Sequence, residues 1–210
     1  MFVTFSGVDG SGKSTLARMV YKKLRELGFN VKYHREFEYF LLKYVITLLG
    51  TRANPTRDRF MDHNEVKKPF YFRIWPFFVW LDCVISWFYF RFLERKYVII
   101  FDRYICDFLA AWEYYGYSNK LIRYLNIRFP KPDFAFLLNP TPRVAFLRRN
   151  DPPLVLSHFY IPISEKYLEI ARQLDIKLID TNQPLEESFN QIWSNLLPAL
   201  RESSSNNGRC

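Results

Sequence analysis

Cysteine is scarce in this 210-residue chain: Cys83, Cys106 and Cys210 form an odd number at no metal-ligand spacing. That excludes a structural zinc site and a disulfide framework, and it points to a reducing cytoplasm. No basic leader or small-residue cleavage site precedes the apolar start at Phe2, so a strand and not a signal peptide is expected there. Nor does any uncharged run approach the roughly 20 residues that a bilayer span needs. The most apolar stretch, Phe70 to Leu93, is interrupted by Arg73, Pro76, Asp82 and Arg91, so no transmembrane segment is expected. A helix that is apolar on all faces still needs cover, and a second copy of the chain would supply it, which predicts a homodimer packed through the aromatic helix around 77–92. A dedicated basic arm is also missing. The net charge of +9 is spread from Lys22 to Arg201, which fits an anionic substrate better than nucleic acid. The length suits one domain over residues 1–201, followed by a Ser/Asn-rich, disordered tail at 202–210.

What the chain does contain is concentrated at its start. Phe2 to Ser6 reads as a buried strand, and Gly7-Val8-Asp9-Gly10-Ser11-Gly12-Lys13-Ser14-Thr15 follows it with the spacing G-x-x-x-x-G-K-S. Backbone N–H groups of such a loop face a polyphosphate, Lys13 reaches its outer charge and Ser14 holds magnesium. Leu16, Val20, Leu24 and Leu27 then recur at helical spacing up to Gly28, and the N-terminus of that helix faces the phosphates. The stretch is an ATP-type site.

Further along, Val31 to His34 is a second short strand that delivers Arg35 to its carboxyl end, as an anion contact or as a partner of Glu36 or Glu38. A helix is expected over 40–49, then a polar loop over 50–68. Tyr97 to Phe101 is an apolar strand ending in Asp102, placed to organise magnesium or merely to end the strand. Arg103 beside it braces a phosphate with its planar fork, or pairs with Asp102. Phe134 to Leu138 is a fourth strand. Thr141 caps a helix from Pro142 that stops at Arg148-Arg149, because Asp151-Pro152-Pro153 cannot continue it. The arginine pair opens an expected lid over about 148–160, or simply suits a helix C-terminus. A helix over 164–174, a fifth strand over 177–179 and a last helix from Pro184 complete the reading.

Strands alternating with helices after a phosphate loop imply a three-layer α/β P-loop NTPase fold with a doubly wound parallel sheet. In the order and spacing of the loop, Arg35-Glu36, Asp102-Arg103-Tyr104, Pro132-Asp133, Tyr167-Leu168 and Ile179-Asp180, residues 2–200 resemble the thymidylate kinase branch of the nucleoside-monophosphate kinases. The resemblance implies a five-stranded sheet in the order 2-3-1-4-5, a homodimer, and transfer of the ATP γ-phosphoryl group to dTMP with Mg2+. It implies that Lys13, Arg103, Arg148 and Arg149 stabilise the moving phosphoryl group. Asp9 and Arg35 would approach the acceptor, and Phe78 would stack on its base. The departures from the family pattern are Asp82 and Asp107, which stand where base-reading groups are expected. Two carboxylates there would accept from an exocyclic amine, or else pair with Arg73 or Arg103. A different nucleotide or nucleoside acceptor, or a non-kinase ATPase switch with an aromatic partner surface, are the rival readings. The lid arginines favour a kinase, since a lid excludes water during transfer.

Overall fold

The computed structural model describes residues 1–35, 71–94 and 96–207, with 71–75 and 202–207 described by backbone alone. Five strands, β1 (Phe2–Ser6), β2 (Val31–His34), β3 (Val98–Asp102), β4 (Phe134–Asn139) and β5 (Lys177–Asp180), form one sheet in the order 2-3-1-4-5. Every pairing is parallel, with Phe5 opposite Asp102 on one side and Phe136 on the other. All five residues of β1 and of β3 are buried, which is why these strands read as unbroken apolar runs and do not alternate.

Helices cover both faces. On one side α1 (Lys13–Glu26) and α7 (Leu185–Asn207) pack Leu16, Val20, Leu24, Ile192 and Leu196 against Val3 and Phe5. Each such side chain removed from water contributes about 1.5–3 kcal/mol. The opposite face carries α2 (Tyr71–Leu93), α3 (Ile105–Tyr114), α4 (Lys120–Ile127) and α6 (Ile161–Leu174). The short α5 (Pro142–Arg149) begins as the sequence implies, with Thr141 Oγ1 accepting from the Val144 amide and proline in the first turn.

Three expectations change. Helices α3 and α4 fill the segment between the third and fourth strands, where none was anticipated. A π-helical turn, Leu156–Tyr160, leads into α6, which therefore starts at Ile161 and not at Ser164. Helix α7 continues to Asn207 through residues expected as a disordered tail, because extending an existing helix needs no new nucleus. Residues 208–210 lie outside the described set, as do the helix expected over 40–49 and the loop over 50–68.

Among the described residues, helix α2 packs against the fold along one side. Val79, Cys83, Ser86 and Phe90 face the sheet, while Phe77, Phe78, Leu81, Phe88 and Phe92 remain exposed, the last at 68%. Its window Pro76–Leu93 has the length and composition of a membrane span, and a third of it is buried in the fold.

Candidate active site

The strand order sets the ends of β3 and β4 on either side of β1, so the loop leaving Ser6 emerges between them. The loop is clamped tightly. A Cβ on Gly7 would stand 2.5 Å from the Leu138 carbonyl oxygen, and one on Gly10, whose φ is 81°, would stand 2.3 Å from that of Ala145 in α5. Only glycine permits both approaches. No side chain caps α1, so its first N–H groups stay available to an anion.

Lys13 is 6% exposed, and its ammonium donates to the carbonyl oxygens of Gly7 and Val8, both at 2.7 Å. Burial, and next the neighbouring Arg103, lower its pKa to about 8, against the opposing pull of Asp9, Asp107 and Asp102. The Arg103 guanidinium hydrogen-bonds the Asp9 carboxylate and lies 3.9 Å from that of Asp107. Burial would lift the Asp9 pKa, yet Arg103 and then Lys13 outweigh it and hold that carboxyl at about 2. Burial acts downward on Arg103, and the two carboxylates more than reverse it. The backbone of Arg103 has φ 106°, tied by its N–H to the Phe5 carbonyl at 3.0 Å. For an arginine this conformation costs about 1–3 kcal/mol, the kind of strain that functional sites retain.

Asp102, 2% exposed, accepts at Oδ2 from Ser14 Oγ at 2.5 Å and from the Tyr33 hydroxyl at 2.9 Å. Its Oδ1 is buried without a partner among the described residues. A hydroxyl and a carboxylate on adjacent elements, with one oxygen still unmatched, are hard oxygen donors of the kind magnesium takes alongside substrate phosphates. No cluster of three His, Cys, Asp or Glu occurs among the described residues, and this metal requires none.

Arg148 lies at the rim of the loop. It donates to the Thr181 carbonyl at 2.7 Å and to that of Gly10 at 3.4 Å. Arg149 packs its Cγ toward Gly10 and lies 4.0 Å from Asp151. The segment after these arginines is anchored through Tyr160, which is buried and donates to Asp151 at 2.6 Å.

The base-reading expectation for Asp107 requires correction. Its Oδ1 accepts from the Gly7 amide at 3.3 Å and the Tyr167 hydroxyl at 2.9 Å, and its Oδ2 accepts from the Tyr104 amide at 3.0 Å. Those donors occupy a side chain that is buried, so Asp107 fastens the phosphate loop to α3 and α6 and does not present itself to a base. Asp82 is likewise buried, on the covered side of α2, and interacts within the fold. The Arg73 side chain lies outside the described residues. Arg35 is exposed at the carboxyl end of β2, and Phe78 is exposed on α2. Tyr33 and Thr181 were not anticipated, since nothing local marks them. Tyr167 was visible only as part of a motif, with no role attached.

Comparison with known proteins is consistent with this geometry. A family model described as thymidylate kinase matches residues 86–192. The chain is 28% identical over 202 residues to a probable thymidylate kinase of Sulfurisphaera tokodaii, spanning 89% of this chain and 90% of that protein. It is 28% identical over 209 residues to one of Sulfolobus acidocaldarius, spanning 91% and 94%. A third, from Archaeoglobus fulgidus, is 26% identical over 204 residues, spanning 91% and 92%.

Proposed function

The chain belongs to the thymidylate kinase family, and we propose that its phosphate loop, Asp102, Arg103 and the two α5 arginines carry the transfer of the ATP γ-phosphoryl group to dTMP, giving ADP and dTDP. The observation that carries this reading is the meeting of Ser14 and Asp102 at the loop, with Asp102 Oδ1 unmatched. Gly7 to Thr15 hold the triphosphate through backbone N–H groups. Ser14 and Asp102 hold the magnesium that accompanies ATP. Magnesium, when bound, supplies charge neutralisation at the phosphate oxygens.

The remaining work falls to positioned cations. A loose phosphoryl transition state spreads charge over its outer oxygens, so groups already oriented toward that charge stabilise it most. Arg103 is oriented by two carboxylates and by a fixed backbone. Lys13 exchanges its carbonyl partners for phosphate oxygens, which adds negative charge to that of Asp9, 3.8 Å from its ammonium. Asp9, Arg35, Arg103 and Phe78 form the acceptor side. Asp107 has both carboxylate oxygens engaged by donors within the fold, which weakens the reason to expect amine-bearing acceptors to be preferred. With Mg2+ and a panel of monophosphates, ADP formation should require dTMP. ADP released at equal rate without any monophosphate would identify an ATPase switch, and preference for another monophosphate would move the acceptor.

Arg148 and Arg149 connect α5 to the loop at Gly10 and to Thr181. Arg148→Ala or Arg149→Ala is expected to lower kcat by about 10²-fold with little change in KM for ATP, the signature of a contact made in the transition state. A rise in KM alone would assign them to ground-state binding.

The exposed stripe of Phe77, Leu81, Phe88 and Phe92 on α2 supports a homodimer built on that helix. Light scattering at micromolar concentration should give twice the chain mass of 25.4 kDa. A monomer, or a particle that forms only with detergent, would count against this assembly. The free thiols of Cys83 and Cys106 suit the cytoplasm as the compartment.

A further inference from the structure

The Arg103 guanidinium stands between two carboxylates, hydrogen-bonded to Asp9 and 3.9 Å from Asp107 Oδ1. Asp9 belongs to the phosphate loop and is 31% exposed, whereas Asp107 is 4% exposed and sits among the elements behind that loop. Which carboxylate the arginine pairs with decides where its planar fork points. From the contacts around Asp107 we infer that Tyr167 is a positioning residue, whose hydroxyl keeps Arg103 off Asp107 and so leaves the guanidinium on the phosphate side. The effect on catalysis rests on Arg103 meeting the transferred phosphoryl group, as in the function proposed above.

A carboxylate oxygen offers two lone-pair sites. Those of Asp107 Oδ1 are taken by the Gly7 amide at 3.3 Å and the Tyr167 hydroxyl at 2.9 Å, while Oδ2 accepts from the Tyr104 amide at 3.0 Å. Arg103 Nη1 is therefore a third donor for an oxygen with two places, and at 3.9 Å it lies outside hydrogen-bond range. Without the hydroxyl, Oδ1 would keep one long amide contact and a vacant site facing a nearby cation. A buried carboxylate attracts such a cation more strongly than an exposed one does. Arg103 would close on Asp107 in a charge-assisted bond, and the move would draw it off Asp9 and away from an incoming phosphate.

The tyrosine is built to hold this place. Ile163, Ile170 and Ala171 lie on the same face of α6 and are buried in the same cluster as its ring, so packing fixes the hydroxyl. Burial, and next the Asp107 carboxylate, raise its pKa well above the ordinary value, so it remains a donor. The Arg103 backbone is fixed by its bond to the Phe5 carbonyl. What remains free is the arginine side chain, which is the freedom that a choice between two carboxylates uses.

Tyr167→Phe in the full chain is the test, since it keeps the ring and removes only the oxygen. In ligand-free crystals the separation of Arg103 from Asp107 should close from the parental 3.9 Å to about 2.7–2.9 Å, with the bond to Asp9 lost. With ATP, dTMP and Mg2+, kcat should fall about 10-fold while KM for ATP changes by less than about twofold. In an Arg103→Ala background the same replacement should cost nothing further in kcat, because the group it acts through is gone. A folded Tyr167→Phe variant with parental kcat overturns the inference, even if it melts earlier. So does a guanidinium that stays at its parental separation, with or without a water in place of the hydroxyl. Costs that multiply in the double variant would make Tyr167 a brace of the fold and not a positioner of Arg103. A parent chain that forms no dTDP would instead end the dTMP reading, and the crystal comparison would still decide whether Tyr167 sets Arg103.

Discussion

Replacing Lys13 by methionine is expected to cut turnover by about 10³-fold or more without lowering the melting temperature at neutral pH. The first effect follows from the loss of the one buried cation seated inside the loop, beside the carbonyls of Gly7 and Val8. The second follows from its depressed pKa. An unfolded lysine keeps its proton up to about 10.5, whereas the folded one releases it near 8. Between those values the unfolded chain binds more protons, so this group makes stability rise with pH across that window, and below it the buried charge opposes folding. Methionine removes the charge, keeps most of the stem and should flatten that rise. Thermal melts from pH 7 to 10 alongside single-turnover assays check both effects. A variant that loses activity only because it melts early would contradict the role given to Lys13.

Asp102→Asn should lower kcat by about 10²-fold and raise the magnesium concentration for half-maximal rate by tenfold or more. Asparagine keeps the size of the side chain and can still accept from Ser14 and Tyr33, so the partners seen at 2.5 and 2.9 Å survive in outline. What it loses is the negative charge on the buried, unmatched oxygen. Tyr33→Phe serves as the comparison, because it removes a hydrogen bond and leaves the charge in place, and it should move the magnesium dependence far less. If the titration with magnesium were the same in Asp102→Asn as in the parent, the metal would have to be held elsewhere.

The parts legible from the chain alone are those whose cause is local. Strands β1, β3 and β4 could be read because burial makes each a short apolar run, whereas the four-residue edge strands β2 and β5 are only partly buried and were read from their place in the alternation of strands and helices. The phosphate loop could be read because two glycines, a lysine and a serine at fixed spacing have a single purpose. Helix α3 is hard to read because its aromatic-rich residues show no clean polar face, whereas α4 does carry a local signal, the N-cap Asn119 accepting from the Ile122 amide. Asp107 was misread for a different reason. Its place in the motif suggested the base, but its surroundings are set by Tyr167, sixty residues away, and by Gly7, a hundred residues before it. Chain order carries no record of such meetings. The same holds for Arg148 and the Thr181 carbonyl, and for Tyr33 and Asp102. Each depends on two elements docking first.

The central position of β1 has a consequence for biosynthesis. Its neighbours in the register are Ile99 on one side and Phe134 on the other, so of the five strands β1 waits longest between its own synthesis and that of its partners. At ordinary elongation rates it waits on the order of 10 s as an apolar ribbon with both edges open, the state most prone to pair with a stranger. Yield of native enzyme should therefore respond to translation speed and to chaperones that shield nascent chains, even where the finished protein is stable.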